Sequence, residues 1–251
     1  MSSPDPLGPA SRGLPLLLAA AAACLYLVAA SGRDFWSPDE PDFAQAVREM
    51  NERGSWLLPY QNGVPYSEKP VLFYWAMAAT TPFTGWDVRP AALRLPSVLS
   101  GAFLVWAAAA FALWRGGRRE ALLAGSATAV APIVFWQGHF LQIDAMFSAL
   151  LLGALLCQVL VEEDRERAPR WRLLFQLLLP LAILTKGPLA LVLTGLFALV
   201  RCAVTRSPRP VRDLGPVRGA LVAVALVVPW YVLAARSGGP EYAHDLIVRQ
   251  N

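Results

Sequence analysis

The sequence predicts an all-α protein that crosses a membrane several times. Three observations carry this reading. Of 251 residues, 56% are apolar and 16% charged, with a mean hydropathy of +0.44; an ordinary soluble domain has about 25% charged residues. The apolar excess sits in runs without charge: Leu14–Ala30, Leu95–Trp114, Ala121–Ile143, Ala145–Val161 and Gly219–Ala235. Runs of about 17–25 such residues cover a hydrocarbon core of about 30 Å. The basic residues are twenty arginines and two lysines, and most of the arginines fall in three clusters between the runs. A disordered chain, a disulfide scaffold and a soluble nucleic-acid binder are excluded, although the net charge of +4 by itself would suit the last.

The first run follows Arg12 and ends in Val28-Ala29-Ala30-Ser31-Gly32. It reads as a retained first span in preference to a cleaved signal, because it is long for a signal core and further spans follow. The arginine clusters then order the rest. They are Arg115/Arg118/Arg119, Arg165/Arg167/Arg170/Arg172 and Arg201/Arg206/Arg209/Arg212/Arg218. Short cytoplasmic loops are enriched in Lys and Arg, so an even number of crossings should separate neighbouring clusters. Ala121–Val161 supplies two spans around an outer turn at Gln137–Asp144. Leu173–Val200 as one helix would be about 42 Å long and would put the third cluster outside. The Lys186-Gly187-Pro188 breaker makes it two short helices instead. The expectation is seven spans, roughly 14–31, 91–114, 120–137, 143–161, 171–185, 188–204 and 218–235, with the N-terminus inside and 32–90 as the long outer loop of a single transmembrane domain covering 1–251.

That loop holds most of the chemically capable side chains. Ser37-Pro38-Asp39-Glu40 reads as a helix start, with Ser37 as N-cap, Pro38 at the first helical position and Glu40 reaching back. The helix that follows puts Phe43, Val47 and Met50 on one face and ends at Gly54, the pattern of a helix lying in the membrane interface. Asn62-Gly63 signals a turn. A second helix, Val71–Thr81, is rich in aromatics. Taken singly, Asp39 and Glu40 are helix-start residues, and Glu68-Lys69 is a solvated pair. Their convergence points further. By the topology above, Asp39, Glu40, Glu68, Lys69, Asp144 and Lys186 share the outer side, and Lys69 and Lys186 are the two lysines of the chain. An ionisable residue in a span or at its mouth is a candidate functional group. Acids beside fixed cations can deprotonate an acceptor and hold an anionic headgroup.

Cys24, Cys157 and Cys202 are scattered through apolar runs and read as buried thiols. His139 and His244 form no HExxH pair, and neither a GxGxxG fingerprint nor a Walker A sequence occurs, which speaks against a nucleotide cofactor. No cofactor is firmly implied; His244 and the acidic pair could lend ligands to a divalent ion, at spacings that do not call for one.

Asp39-Glu40-Pro41, Arg48-Glu49-Met50, Gly54-Ser55-Trp56, Tyr66-Ser67-Glu68-Lys69-Pro70 and Phe73-Tyr74-Trp75 occur in an order and spacing that resembles the GT-C superfamily of membrane glycosyltransferases, in the branch of aminoarabinose transferases and protein O-mannosyltransferase-like enzymes. Arg94-Leu95-Pro96-Ser97, Asp144, Leu184-Thr185-Lys186-Gly187-Pro188 and Pro229-Trp230-Tyr231 extend the likeness over about residues 14–236. The resemblance implies a GT-C-like fold with about seven transmembrane helices and interfacial helices in the first outer loop. It implies an enzyme of the bacterial inner membrane that takes a sugar from a polyprenyl-phosphate donor at the periplasmic face and gives it to a lipid, glycan or protein, without nucleic acid. It implies Asp39, with Glu40, as catalytic carboxylates. Tyr66, Glu68, Lys69, Asp144 and Lys186 would bind donor phosphate or substrate, Lys69 nearest the phosphate. Asp42 and Ser67 depart from the aminoarabinose-transferase pattern, which has Arg and an aromatic there. The chain ends within a helix expected over Pro240–Asn251, so it reads as the N-terminal part of a longer enzyme. The alternative is a membrane protein that binds or moves a lipid-linked substrate without chemistry.

Overall fold

The structure, a computed structural model, describes residues 13–249. Arg12 and the last two residues of the expected terminal helix lie outside that range. In chain order the elements are α1 (Gly13–Ala30), α2 (Asp39–Arg53), the strands β1 (Tyr60–Gln61) and β2 (Val64–Pro65), and α3 (Leu72–Ala78). Then come a 3-10 turn (Thr81–Thr84), α4 (Pro90–Leu93), α5 (Leu95–Arg115), α6 (Arg118–Val130), α7 (Pro132–His139) and α8 (Ile143–Glu163). The chain continues as α9 (Ala168–Lys186), α10 (Leu189–Thr205), α11 (Arg209–Arg212), α12 (Pro216–His244) and a π-helical turn (Asp245–Arg249).

Among the described residues, four helices are long and apolar enough to cross a membrane: α1, α4 with α5 as Pro90–Arg115, α8 and α12. The pair α6 and α7 makes a fifth if taken as one span bent by 61°. The break has a local cause. Pro132 has no N–H for the carbonyl four residues back and its ring crowds that carbonyl, and Ala131 turns extended with ψ 125°. The seven expected spans are therefore not all reached by length and composition. The two that fall short are α9, with Arg170, Arg172 and Gln176 along it, and the 17-residue α10, about 26 Å long. Both nevertheless form where expected, and the chain turns between them at Gly187, whose φ of 79° suits a residue without Cβ. The last span runs past residue 235 to His244, kinked at Gly239 before Pro240.

Residues 13–44 and 79–149 form one compact unit, and 45–78 with 150–249 form a second. In the first unit α1 packs on α5, α6 and α7 around Ala22, Tyr26, Ala30, Val98 and Val105. Tyr26 is the centre of this packing. Its hydroxyl donates to the Ala129 carbonyl at 2.9 Å, an oxygen just before the Ala131–Pro132 break. Its ring fits between two glycines: a Cβ on Gly101 or on Gly138 would come within 2.8 Å of it. Small residues let membrane helices approach this closely.

In the second unit α9 packs on α10, α12 and α3. Gln158 donates to the Thr194 carbonyl at 3.1 Å, and Gln176 to the Leu214 carbonyl at 2.9 Å. Polar side chains inside an apolar bundle need such partners. Arg201 forks onto Glu162 at 2.9 and 3.2 Å, and Arg165 pairs with Asp213. The second and third arginine clusters thus meet at one end of α9 and α10, as the even-crossing rule requires.

Candidate functional site

The buried ion pair of the first unit organises everything around Asp39. Arg94, the residue between α4 and α5, has no exposed surface, and Glu40 is 1% exposed. The guanidinium spends all five of its N–H groups. Nε donates to Glu40 Oε1 at 2.8 Å and Nη2 to Glu40 Oε2 at 2.6 Å. The other bonds go to the carbonyls of Ala30 at 2.7 Å, Arg33 at 3.2 Å and Asp34 at 2.9 Å. Those carbonyls include the last residue of α1, where a helix leaves its final C=O groups without intrahelical partners. Glu40 accepts two further bonds, from the N–H of Trp36 and of Leu141, each at 2.7 Å. Burial alone would raise its carboxyl pKa. The Arg94 hydrogen bonds, the two backbone N–H groups and the guanidinium charge outweigh it and hold Glu40 below the usual carboxylate range.

This corrects the expected helix start. Ser37 and Pro38 stand in the turn before α2, which begins at Asp39. Glu40 reaches back one residue further than a capping box would, to Trp36, because its other contacts are fixed by the buried cation. The fork leaves Asp39, the neighbour of Glu40, exposed in the first turn of α2. It also holds the segment ahead of Asp144. Leu141 is bound to Glu40, and the Ser97 hydroxyl and Gln142 backbone exchange hydrogen bonds at 3.1 and 3.2 Å. Asp144 follows in the first turn of α8, half-buried. Asp39, Glu40 and Asp144 are thereby carried by one connected framework.

The second unit carries Tyr66, Glu68, Lys69 and Lys186. Here Glu49, 6% exposed, is the anchor. It accepts from the Gly63 N–H at 3.0 Å and from Gln45 Nε2 at 3.0 Å, and pairs with Arg53 at 3.3 Å. Burial would raise its pKa; Gln45, the Gly63 and Asn62 N–H groups and Arg53 together lower it. Asn62 and Gly63 have φ of 53° and 82°, the left-handed pair that a two-residue hairpin turn demands. Beyond the hairpin, Tyr66 donates its N–H to the Pro59 carbonyl at 2.8 Å and sets its ring edge-on to Tyr74 at 6.4 Å. Glu68 is exposed, and Lys69 and Lys186 are half-buried. Lys186 closes α9 at the end away from Arg170 and Arg172. The aromatics of the second loop helix pack largely inward. Phe73 and Tyr74 are fully buried, and Trp75 donates its indole N–H to the Trp56 carbonyl at 2.7 Å. Val47 and Met50 of the expected interfacial face of α2 are likewise buried. The helix expected over Val71–Thr81 is shorter, Leu72–Ala78.

Among the described residues no three His, Cys, Asp or Glu side chains gather as a metal site. His244 faces Asp245 at 3.9 Å, both on the surface. Sequence reasoning missed the roles of Arg94 and Glu49. Arg94 had a signal: it is a charge at the head of an apolar run, which burial obliges to find a partner.

The fold and these groups define an integral membrane protein of the GT-C-like type, built of apolar helices, with Asp39, Asp144 and Lys186 at helix ends and Glu68 and Lys69 in a loop. The dolichyl-phosphate-mannose-protein mannosyltransferase family matches residues 14–238, and the chain belongs to that family. It is 34% identical over 228 residues to the undecaprenyl phosphate-alpha-4-amino-4-deoxy-L-arabinose arabinosyl transferase of Pectobacterium carotovorum, covering 88% of this chain and 40% of that one. It is 35% identical over 237 residues to the enzyme of the same description from Serratia proteamaculans, covering 90% and 41%. The crystal structure of ArnT from Cupriavidus metallidurans in the apo state superposes with a TM-score of 0.85 at 26% identity, over 96% of this chain and 45% of that one. The same protein bound to undecaprenyl phosphate gives 0.82, over 94% and 43%. The chain thus spans about 40% of the length of the curated relatives it matches.

Proposed function

We propose that this chain carries acceptor-activating and donor-binding groups of a glycosyltransferase. The enzyme moves a sugar from a polyprenyl-phosphate donor to a lipid, glycan or protein acceptor at the periplasmic face of the bacterial inner membrane. The observation that carries the reading is the exposed Asp39 on a helix start fixed by the buried Arg94–Glu40 fork. A carboxylate held in place but open to solvent can orient and deprotonate an acceptor hydroxyl. The acceptor oxygen then bonds to the anomeric carbon, the carbon–oxygen bond to phosphate breaks, and the proton ends on Asp39. Lys69, with Lys186, neutralises the charge that builds on the departing polyprenyl phosphate. Tyr66, Glu68 and Asp144 complete the substrate contacts. Glu40 acts through Asp39, as a positioning residue, because its four acceptor bonds are already taken. The named relatives make undecaprenyl-phosphate aminoarabinose the first donor to try.

The test uses membranes containing the protein and a labelled polyprenyl-phosphate sugar. Asp39→Asn and Lys69→Ala are each expected to abolish label transfer while the protein inserts normally. Transfer at wild-type rates in both would refute the assigned roles. Movement of label across the membrane with its glycosidic bond intact would favour a transport protein.

A further inference from the structure

One cavity of the first unit is lined by arginines that the proposed reaction does not use. A cavity of about 380 Å³ is lined by Gly32, Arg33, Asp34, Arg89, Pro90 and Ala91. It opens just past the end of α1 and at the first residue of α4, where the Pro90–Arg115 span begins. Both positions are at ends of apolar helices long enough to span a membrane, away from Arg115, Arg118 and Arg119. Three arginines, Arg33, Arg89 and Arg94, stand at or next to these helix ends. Arg94 is explained by Glu40 and Arg89 by the exposed Asp87 at 3.1 Å. Arg33 has no carboxylate bound to it among the described residues.

Arg33 is instead held by neutral groups. Nε donates to the Ala29 carbonyl at 3.3 Å and Nη2 to the His139 carbonyl at 2.9 Å. Its guanidinium lies 3.7 Å from the centre of the Phe140 ring. The side chain is therefore oriented, with Nη1 not engaged by a hydrogen bond among the described residues. Burial first and then the neighbouring Arg94 lower its pKa, and Glu40 partly offsets them. The lining itself carries two arginines and one carboxylate, Asp34, while Asp87 pairs with Arg89 from beside it. A planar fork with spare N–H groups matches phosphate oxygens.

We propose that the Arg33–Arg89 cavity binds the phosphate of a lipid headgroup or a free phosphate ester at the membrane boundary, independently of the donor site. The ligand accepts from Arg33 Nη1, with Arg89, an exposed residue of the same lining, as its second cation.

The protein in phosphatidylcholine nanodiscs, with and without phosphatidylglycerol, tests this by native mass spectrometry and thermal unfolding. Inorganic phosphate in phosphatidylcholine discs is the second arm. Phosphatidylglycerol is expected to be retained and stabilising in the wild type, and about tenfold more weakly bound in Arg33→Gln or Arg89→Gln. A shift with phosphatidylglycerol alone assigns a lipid headgroup, and one with inorganic phosphate as well assigns a free ester. Arg89→Gln changes an exposed residue and leaves folding intact, so it remains informative if Arg33→Gln misfolds. Equal retention of phosphatidylglycerol by wild type and Arg89→Gln, with no effect of inorganic phosphate, would overturn the proposal.

Discussion

Replacing Glu40 by Gln keeps the shape of the side chain and removes its charge. In the folded protein the carboxylate receives four N–H groups between 2.6 and 2.8 Å. A glutamine oxygen can take two of them, while its NH2 group confronts the other two donors. Each buried donor left unpaired costs about 1–3 kcal/mol. Arg94 then keeps its charge, with no exposed surface and no anion. Breaking one side of a buried pair costs about 3–5 kcal/mol, and the same range is expected for Arg94→Met, which also strands three carbonyls. The double variant should cost less than the sum of the singles by about 0.5–3 kcal/mol, since both break one interaction. Reversible unfolding in mixed micelles measures these differences. Acid gives a second reading. Glu40 releases its proton more readily in the folded protein than in the unfolded chain, so its contribution is complete above the ordinary carboxylate value near ~4.3. It is lost as pH falls through the lower folded value. Wild type should lose stability in that window, and Glu40→Gln should lack this component. A Glu40→Gln protein within about 0.5 kcal/mol of wild type, or strictly additive single effects, would refute the reasoning.

Three further outcomes are expected. Gly101→Ala puts a Cβ 2.8 Å from the Tyr26 ring and 3.1 Å from the Gly138 backbone, so thermal unfolding should show a loss of about 1–3 kcal/mol from overpacking. Glu49→Ala frees the Gly63 N–H from its buried acceptor, and hydrogen exchange at that amide should quicken, with a cost of about 1–3 kcal/mol. In a chain without Cys24, Cys157 and Cys202, single cysteines at Gln61 and Arg209 should react with an impermeant reagent from opposite sides of the membrane; reaction from the same side would overturn the arrangement of spans.

Much of the architecture was legible because it rests on local chemistry. The apolar runs gave α1, α5, α8 and α12, since length and hydropathy alone decide whether a helix can span. Asn62-Gly63 gave its hairpin turn and Gly187 its break, because backbone sterics at a left-handed φ act within a few residues. The second and third arginine clusters come together, through Arg165 on Asp213 and Arg201 on Glu162. The bend at Pro132 and the shortening of the aromatic helix were not drawn from the same patterns. The candidate site was only half visible. Asp39, Lys69, Asp144 and Lys186 could be named as scarce outer charges, but the residues that hold the framework, Arg94, Glu49 and Tyr26, were silent or assigned other work.

The sequence by itself determined that this is a helical membrane protein and where its helices begin and break, because those properties follow from hydrophobic length, loop charge and backbone conformation. Its ordered motifs also marked its family. Only the tertiary structure decided that Glu40 is an interior acceptor and Asp39 the open carboxylate. Adjacent acids in one chain segment look alike until Arg94, 54 positions away, takes one of them, and the cost of burying its charge chooses which.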